Sequence, residues 1–563
     1  MDVHVADHRH APTVVEQLNA AGRSARVVST PGDASTYLAF DEDLSAWNRQ
    51  AVAANVPLIA VECGTVGGRT IEEFAGAVTC CTPDGPCFAC LETRIEANAQ
   101  QTTDASTCDP AESILLASMG GMFAARPQLD DGGTVTTLPF GDHELLPVPD
   151  CPVCASPSDA RWRPESAPAR SPRSLAAAAT AGERTVGDLV GIVTEVGEAR
   201  SLPSPYFLVT LADTTPFSDV QAPRQAAGVA DDWDEAFMKG IGEGIERYAA
   251  GIYTHDSFRR ASPDDVQAAL DPASCVNPAG EDLDTGEIAW VPGEALASGR
   301  DVWLPAELVV FPPPSRKIRP PITTGLSLGN TIDEAIAGGL AEVVERDATM
   351  LAWYSTFEPL ALAVDDPTYD RLERRAAFEN LELETMLVTQ DIDLPVVACL
   401  AHRDRWPALA LGSAAGLDAT QAAIRAAEEA LQNWMELDEM GEATATDEAE
   451  RLAAHARDPT PARTGLAAVG TVDAAAVSQA TDAKARERRD RIVELISTAG
   501  MTGYAARTTT RDVERLGFEG VRVIVPTAQP LILGEPYFGD RAETVPASLG
   551  YSPCLDRSPH PFP

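Results

Sequence analysis

Residues 323–348 read TTGLSLGNTIDEAIAGGLAEVVERDA. The apolar spacing predicts a helix over Thr331–Tyr354, approached by a small, polar, glycine-containing stretch, 323–330. Such an approach suits a nucleotide phosphate or ribose at the helix N-terminus, although it also reads as a plain cap. Glu342 and Glu345 stand at i and i+3 on one face, with Arg346 beside Glu342 at i+4. Most other positions are apolar or small, so these three side chains are expected to be substantially buried. Buried carboxylates need a cation or an arginine.

The same grammar occurs upstream. Glu243-Gly-Ile-Glu246-Arg247 lies on a helix predicted over Asp234–Tyr253. Four converging carboxylates and two arginines would suit Mg2+ and phosphate; the plain alternative is a solvated acidic face with i,i+4 ion pairs. A third helix, Ala419–Met440, carries Glu428-Glu429-Ala-Leu-Gln432, with Glu429 and Gln432 on one face.

The chain closes on Pro559-His560-Pro561-Phe562-Pro563. Proline at every second position fixes φ and removes backbone donors, which would stiffen the end and present the Pro563 carboxylate on an extended arm, although it also reads as a random Pro-rich end. Cys87-Phe-Ala-Cys90 and Cys151-Pro-Val-Cys154 form two knuckles about 60 residues apart. Two such pairs favour a structural Zn2+ over a redox site, which would use one pair; Cys80, Cys81 and Cys108 are competing ligands or ordinary small residues.

The sequence has 563 residues, too many for one core, and a formal charge of −42. Lysine occurs only at 239, 317 and 484, so arginine supplies 40 of the 43 basic residues. Excess acid with little lysine fits an organism with molar internal salt, where the screening length shrinks to about 3 Å; the plain alternative is an ordinary acidic bacterial protein. No basic stripe exists for nucleic acid. With no long apolar run and no signal-peptide pattern, a soluble cytoplasmic protein is expected, with no membrane partner. Eleven cysteines are too few for a disulfide scaffold.

Residues 12–75 alternate helix (Val14–Ala21, Leu44–Ala54) and strand (Tyr37–Phe40, Val56–Val61), an α/β texture without G-x-G-x-x-G. Residues 155–180 read as a linker or exposed connection. The remainder reads as α+β, with strands at Leu189–Val196, Tyr206–Leu211, Val302–Val310, Leu383–Thr389, Leu394–Leu400, Leu409–Ser413 and Val521–Val525. The acidic, Ala/Thr/Pro-rich stretch 441–482 reads as a peripheral insertion.

Five ordered segments carry a resemblance: KGIGEGIERYAAG (239–251), 323–348, AIRAAEEALQNW (423–434), VRVIVP (521–526) and the terminal PHPFP. Over 185–563 the chain resembles the YcaO domain, in particular azoline-forming cyclodehydratases. The resemblance implies an α+β fold that binds ATP and Mg2+ through helix-borne glutamates. By it Glu243, Glu246, Glu342 and Glu345 are Mg2+ ligands, Arg346 a phosphate contact, and Ser327, Asn330 and Glu334 nucleotide contacts. Lys239 and Gly242 depart from the family's frequent polar residues. A further family arginine aligns with either Arg522 or Arg541. GPCFACLETR (85–94) and CPVC (151–154) resemble the zinc-bearing end of a ubiquitin-activating-enzyme-like domain. The expected plan is therefore 1–155 as a truncated domain of that kind with Zn2+ on Cys87, Cys90, Cys151 and Cys154, 156–184 as linker, and 185–563 as the YcaO domain.

The implied function is ATP-dependent peptide cyclodehydration, with the Pro563 carboxylate as the candidate base. Expected partners are a substrate peptide, a separate leader-peptide recognition protein, a flavin dehydrogenase and a second copy of the chain. The alternatives are ATP-dependent backbone thioamidation and a non-catalytic zinc-bearing scaffold.

Overall fold

The computed structural model describes residues 2–41, 43–98, 108–126, 133–155, 159–479 and 484–563. Thr36–Phe40 and Leu58–Cys63 are almost wholly buried strands at the centre of a seven-stranded sheet. Their near-continuous apolar runs suit parallel strands covered on both faces. Asp2–Ala6 and Ser24–Val28 extend the sheet in parallel on one side. Gly76–Cys81, Gly133–Leu138 and Gly141–Leu145 extend it antiparallel on the other. Leu44–Ala54 is helical as expected, and the first helix spans Ala11–Ala20, opened by a proline in its first turn.

The stretch read as a linker or exposed connection is exposed over much of 165–177 but is docked at particular residues. Trp162 is buried in one core cluster with Phe258 and Trp290. Ser174 caps a helix, Leu175–Glu183, whose Ala178 and Ala181 are buried. The alanine run that lacks periodicity is thus a helix former with a good cap and a small-residue face.

The remainder is mixed α+β, built on three sheets. Trp233–Ala250 packs on a three-stranded sheet that includes Tyr206–Leu211 and Gln225–Val229. Ile332–Trp353 lies between a six-stranded sheet, through Glu519–Ile524 and Leu326–Gly329, and a five-stranded one, through Leu409–Ala415. Fourteen of its 22 residues are buried, which is why it carries little amphipathic contrast. Ala419–Glu448 covers the five-stranded sheet and breaks at Gly441, whose φ of 74° lies in the left-handed region.

Two expectations are corrected. Val302–Val310 is not one strand: Arg300–Pro305 is, and Ala306–Val309 is a helical turn begun at Pro305, whose ring removes the N–H a ladder needs. Residues 441–479 are not merely peripheral. Thr471–Asp473 adds a parallel strand beside Leu360–Ala363, and Glu450–Arg457 packs toward the chain terminus.

Candidate active site and thiol cluster

Three of the four glutamates of the paired helices, Glu243, Glu342 and Glu345, are each held by their own donor. Glu243 accepts from the Ala227 amide at 2.8 Å and pairs with Arg247. Glu342 accepts from the Gly325 amide at 3.1 Å. Glu345, only 7% exposed, accepts from Ser413 Oγ at 2.6 Å, and the Ser413 amide donates to Glu429 at 2.6 Å. One serine therefore ties the second helix to the third, a link no sequence signal announced.

These carboxylates share one field. Burial, then the charges of Glu342 and Glu243, push Glu246 up to about 8. Burial raises Glu345 to about 8 against the pull of Arg346, with Glu429 adding repulsion. Glu342 and Glu429 are also raised, chiefly by burial. No three of these carboxylates come within 4.8 Å of one another among the described residues, so they line a shared space without converging on one point. Separate backbone and serine donors hold Glu243, Glu342 and Glu345.

Arg346 and Arg522 supply the cations. Arg346 lies 3.6 Å from both Glu345 and Glu429, and its buried Nε has no hydrogen-bond partner. Arg522 donates to the carbonyls of Ile322 and Thr323 at 2.8 and 3.0 Å, and its Nε is likewise buried without a partner. Burial and the nearby Arg319 bring it down to about 9, while Glu342 and Glu246 oppose this. Arg541 is fully engaged elsewhere, forked onto Asp347 and Asp391 at 2.6–3.0 Å. Of the two arginines the sequence left open, Arg522 is the one beside the glutamates.

Asn330 and Glu334 meet at the start of the second helix. The Asn330 amide donates to the Glu334 carboxylate at 2.9 Å, and Thr331 Oγ1 accepts from the Glu334 amide. Asn330 Oδ1 accepts from Arg173 at 2.9 Å, a contact from the stretch read as linker. Ser327 faces the second turn of this helix, where a Cβ at Gly338 would meet its Oγ at 2.5 Å. A cavity of about 390 Å³ opens beside Glu334 and Gly338 and reaches Asp418, Gln421 and Arg425. Lys239 pairs with Glu428 at 2.6 Å, tying the first helix to the third.

The C-terminal arm is buried, not frayed. His560 and Phe562 are fully buried. Trp353, at the end of the second helix, donates to the Ser558 carbonyl at 2.8 Å, and Arg346 Nη1 donates to the backbone oxygen of Pro563 at 3.4 Å.

Apart from these residues, the sulfurs of Cys87, Cys90, Cys151 and Cys154 all lie within 4.8 Å of one another. Their contacts are 3.5, 3.7 and 4.0 Å. A tetrahedron with Zn–S bonds of about 2.3 Å has edges of about 3.8 Å, so the donor set and spacing fit Zn2+. The Val148 amide points at Cys90 Sγ at 3.3 Å and Arg511 at Cys154 Sγ at 3.4 Å, donors suited to thiolates. Cys80 and Cys81 stay in their strand, and Cys108, a competing ligand by sequence, is disulfide-bonded to Cys63. Spacing alone could not pair residues 45 apart in sequence.

Comparison with known proteins gives three kinds of match. A family model described as YcaO cyclodehydratase, ATP- and Mg2+-binding, matches residues 227–529. An uncharacterized protein of Methanothermobacter thermautotrophicus is 28% identical over 262 residues, covering 44% of this chain and 66% of that one. The match thus spans just under two thirds of that relative. A heterocyclase solved in complex with substrate and cofactor superposes with TM-score 0.71 at 19% identity, over 100% of this chain and 84% of the other. The heterocyclase TruD gives 0.65 at 20% identity, over 98% and 82%. YcaO from Methanopyrus kandleri, bound with AMPPCP and Mg2+, gives 0.50 at 24% identity, over 62% and 89%. At these identities the structural likeness shows the fold. No helix among the described residues is long and apolar enough to cross a membrane.

Proposed function

The chain belongs to the YcaO cyclodehydratase family, ATP- and Mg2+-binding, and on that premise we propose that it is an ATP-dependent peptide cyclodehydratase forming thiazoline or oxazoline rings. One observation carries the reading most: the Pro563 terminus reaches Arg346, on the helix that also carries Glu342 and Glu345.

In the proposed reaction a Cys, Ser or Thr side chain of the peptide loses its proton to a base and attacks the preceding carbonyl carbon. The oxyanion so formed takes the γ-phosphoryl group of ATP, releasing ADP. The ring nitrogen then loses its proton, the C–O bond breaks, and phosphate leaves as C=N forms. The sum is peptide plus ATP giving azoline, ADP and phosphate. The Pro563 carboxylate is the proposed proton acceptor.

The remaining residues bind and orient. Two buried guanidinium Nε groups without hydrogen-bond partners, on Arg346 and Arg522, fit a polyanion. Glu243, Glu246, Glu342 and Glu345 would hold Mg2+, which neutralises developing phosphate charge. Ser327, Asn330 and Glu334 would contact the nucleotide, with the neighbouring cavity taking its nucleoside end. Closing the site in low dielectric makes each such contact stronger than in water.

Residues 1–155 are proposed as a zinc-bearing unit resembling the end of a ubiquitin-activating-enzyme-like domain, with Zn2+ on the four clustered thiols as a structural brace. A leader-peptide recognition protein, a flavin dehydrogenase and a second copy of the chain are the partners this reading calls for. The charge of −42 supports a haloarchaeal cytoplasm as its setting. A cysteine-bearing peptide incubated with ATP tests the function: it should lose one water per ADP formed, and ATP use with sulfur gained in place of oxygen would favour thioamidation instead.

A further inference from the structure

A segment with proline at 559, 561 and 563 offers its surroundings few N–H donors, so whatever seats it must donate to its carbonyls. The Glu450–Arg457 helix, in the stretch read as a peripheral insertion, supplies those donors. Arg451 Nη1 donates to the His560 carbonyl at 2.7 Å and to the Phe562 carbonyl. The same nitrogen lies 3.0 Å from His560 Nδ1. His455 Nε2 lies 2.8 Å from the Pro559 carbonyl, which can only accept, so this nitrogen carries the proton. The His455 ring is held edge-on against Trp353, with centroids 5.7 Å apart. No side-chain carboxylate pairs with Arg451 among the described residues, so its hydrogen bonds are spent on the tail.

We propose that Arg451 and His455 are positioning residues that seat the C-terminal arm and thereby set the reach of Pro563 toward Arg346. Neither residue touches the glutamates. The stretch 441–479 then acts as a latch for the chain terminus. The catalytic consequence rests on the reading of Pro563 given above; the seating itself does not.

A double-mutant cycle separates the two. Arg451→Gln is made in the full chain and in a chain ending at Ser558. The thermal midpoint should fall by several degrees in the full chain and by less than about one degree in the shortened one, because the contacts removed belong to the tail. Arg451→Lys and His455→Asn, milder changes, should show the same background dependence if Arg451→Gln folds poorly. For peptide cyclisation, Arg451→Gln should lower kcat at least about tenfold with KM for ATP within about twofold. Equal midpoint shifts in both backgrounds would overturn the seating. A midpoint shift confined to the full chain, with kcat unchanged, would keep the seating and remove Pro563 from the chemistry.

Discussion

The backbone oxygen of Pro563 lies 3.4 Å from Nη1 of Arg346, although 217 residues separate them. The arm between Ser558 and Pro563 is stiffened by three prolines, so little entropy remains to be lost when it is held in place. Deleting 559–563 should therefore cut peptide cyclisation at least about a hundredfold while changing ATP affinity less than about threefold. A C-terminal tag should act similarly, since it removes the free carboxylate and must pass out through the packing around Phe562.

Glu345→Gln keeps a hydrogen-bond acceptor for Ser413 but removes a carboxyl that can ionise to hold Mg2+. ATP turnover should drop at least about a hundredfold, the scale of losing one charge contact in a preorganised site. Glu342→Gln should behave alike. Circular dichroism and thermal midpoint should stay close to wild type, and unchanged turnover in either variant would take that residue out of the site.

The thiol cluster predicts about one Zn2+ per chain by elemental analysis. Cys90→Ser should lower the metal content and the thermal midpoint together, since Cys90 is fully buried and in contact with two other sulfurs of the cluster. A metal-free protein with a wild-type midpoint would argue that the thiols are a packed core and nothing more.

His560 makes the arm acid-sensitive. Burial, then Arg451, bring its ring down to about 3; Arg346 and His455 add to this, while the Ile532 carbonyl, 2.7 Å from Nε2, opposes it. The unfolded chain takes that proton near 6.5, so below that pH the unfolded state binds more protons. The contribution of His560 is full above about 6.5 and is lost as pH falls toward 3, at up to about 1.4 kcal/mol per pH unit. His455, also lowered chiefly by burial, adds in the same direction. Glu246 and Glu345, raised to about 8, act in the opposite sense over this range, so the test is a difference: from pH 7 down to pH 5 the wild-type midpoint should fall relative to that of His560→Gln. A slope unchanged by that substitution would count against a neutral, buried His560.

Much of this was legible in the chain because helical period and buried charge leave strong marks. Glu342, Glu345 and Arg346 stand out on an otherwise apolar helix, and the two C-x-x-C pairs state their spacing openly. Ser413, Arg173 and Arg451 left no such mark. Each acts through a contact more than 60 residues away in sequence, and a lone serine or arginine in a polar stretch has no period to betray it. The strands Asp2–Ala6 and Ser24–Val28 were missed for a different reason. They are short, and the second is largely exposed, so tertiary pairing decides them. Low-complexity stretches hide single contacts of this kind: Arg173, in the Ala/Ser-rich connection, reaches Asn330, and Arg451 and His455, after Met440, reach the 559–563 segment.

The central claim is that ATP activates the peptide by taking its amide oxygen. A peptide with a heavy-oxygen label in the carbonyl preceding one cysteine should be incubated with the protein, ATP and Mg2+, and both products weighed by mass spectrometry. The account predicts that the label leaves the peptide and appears in the released phosphate, one label per ring. Ring formation with unlabelled phosphate would contradict it.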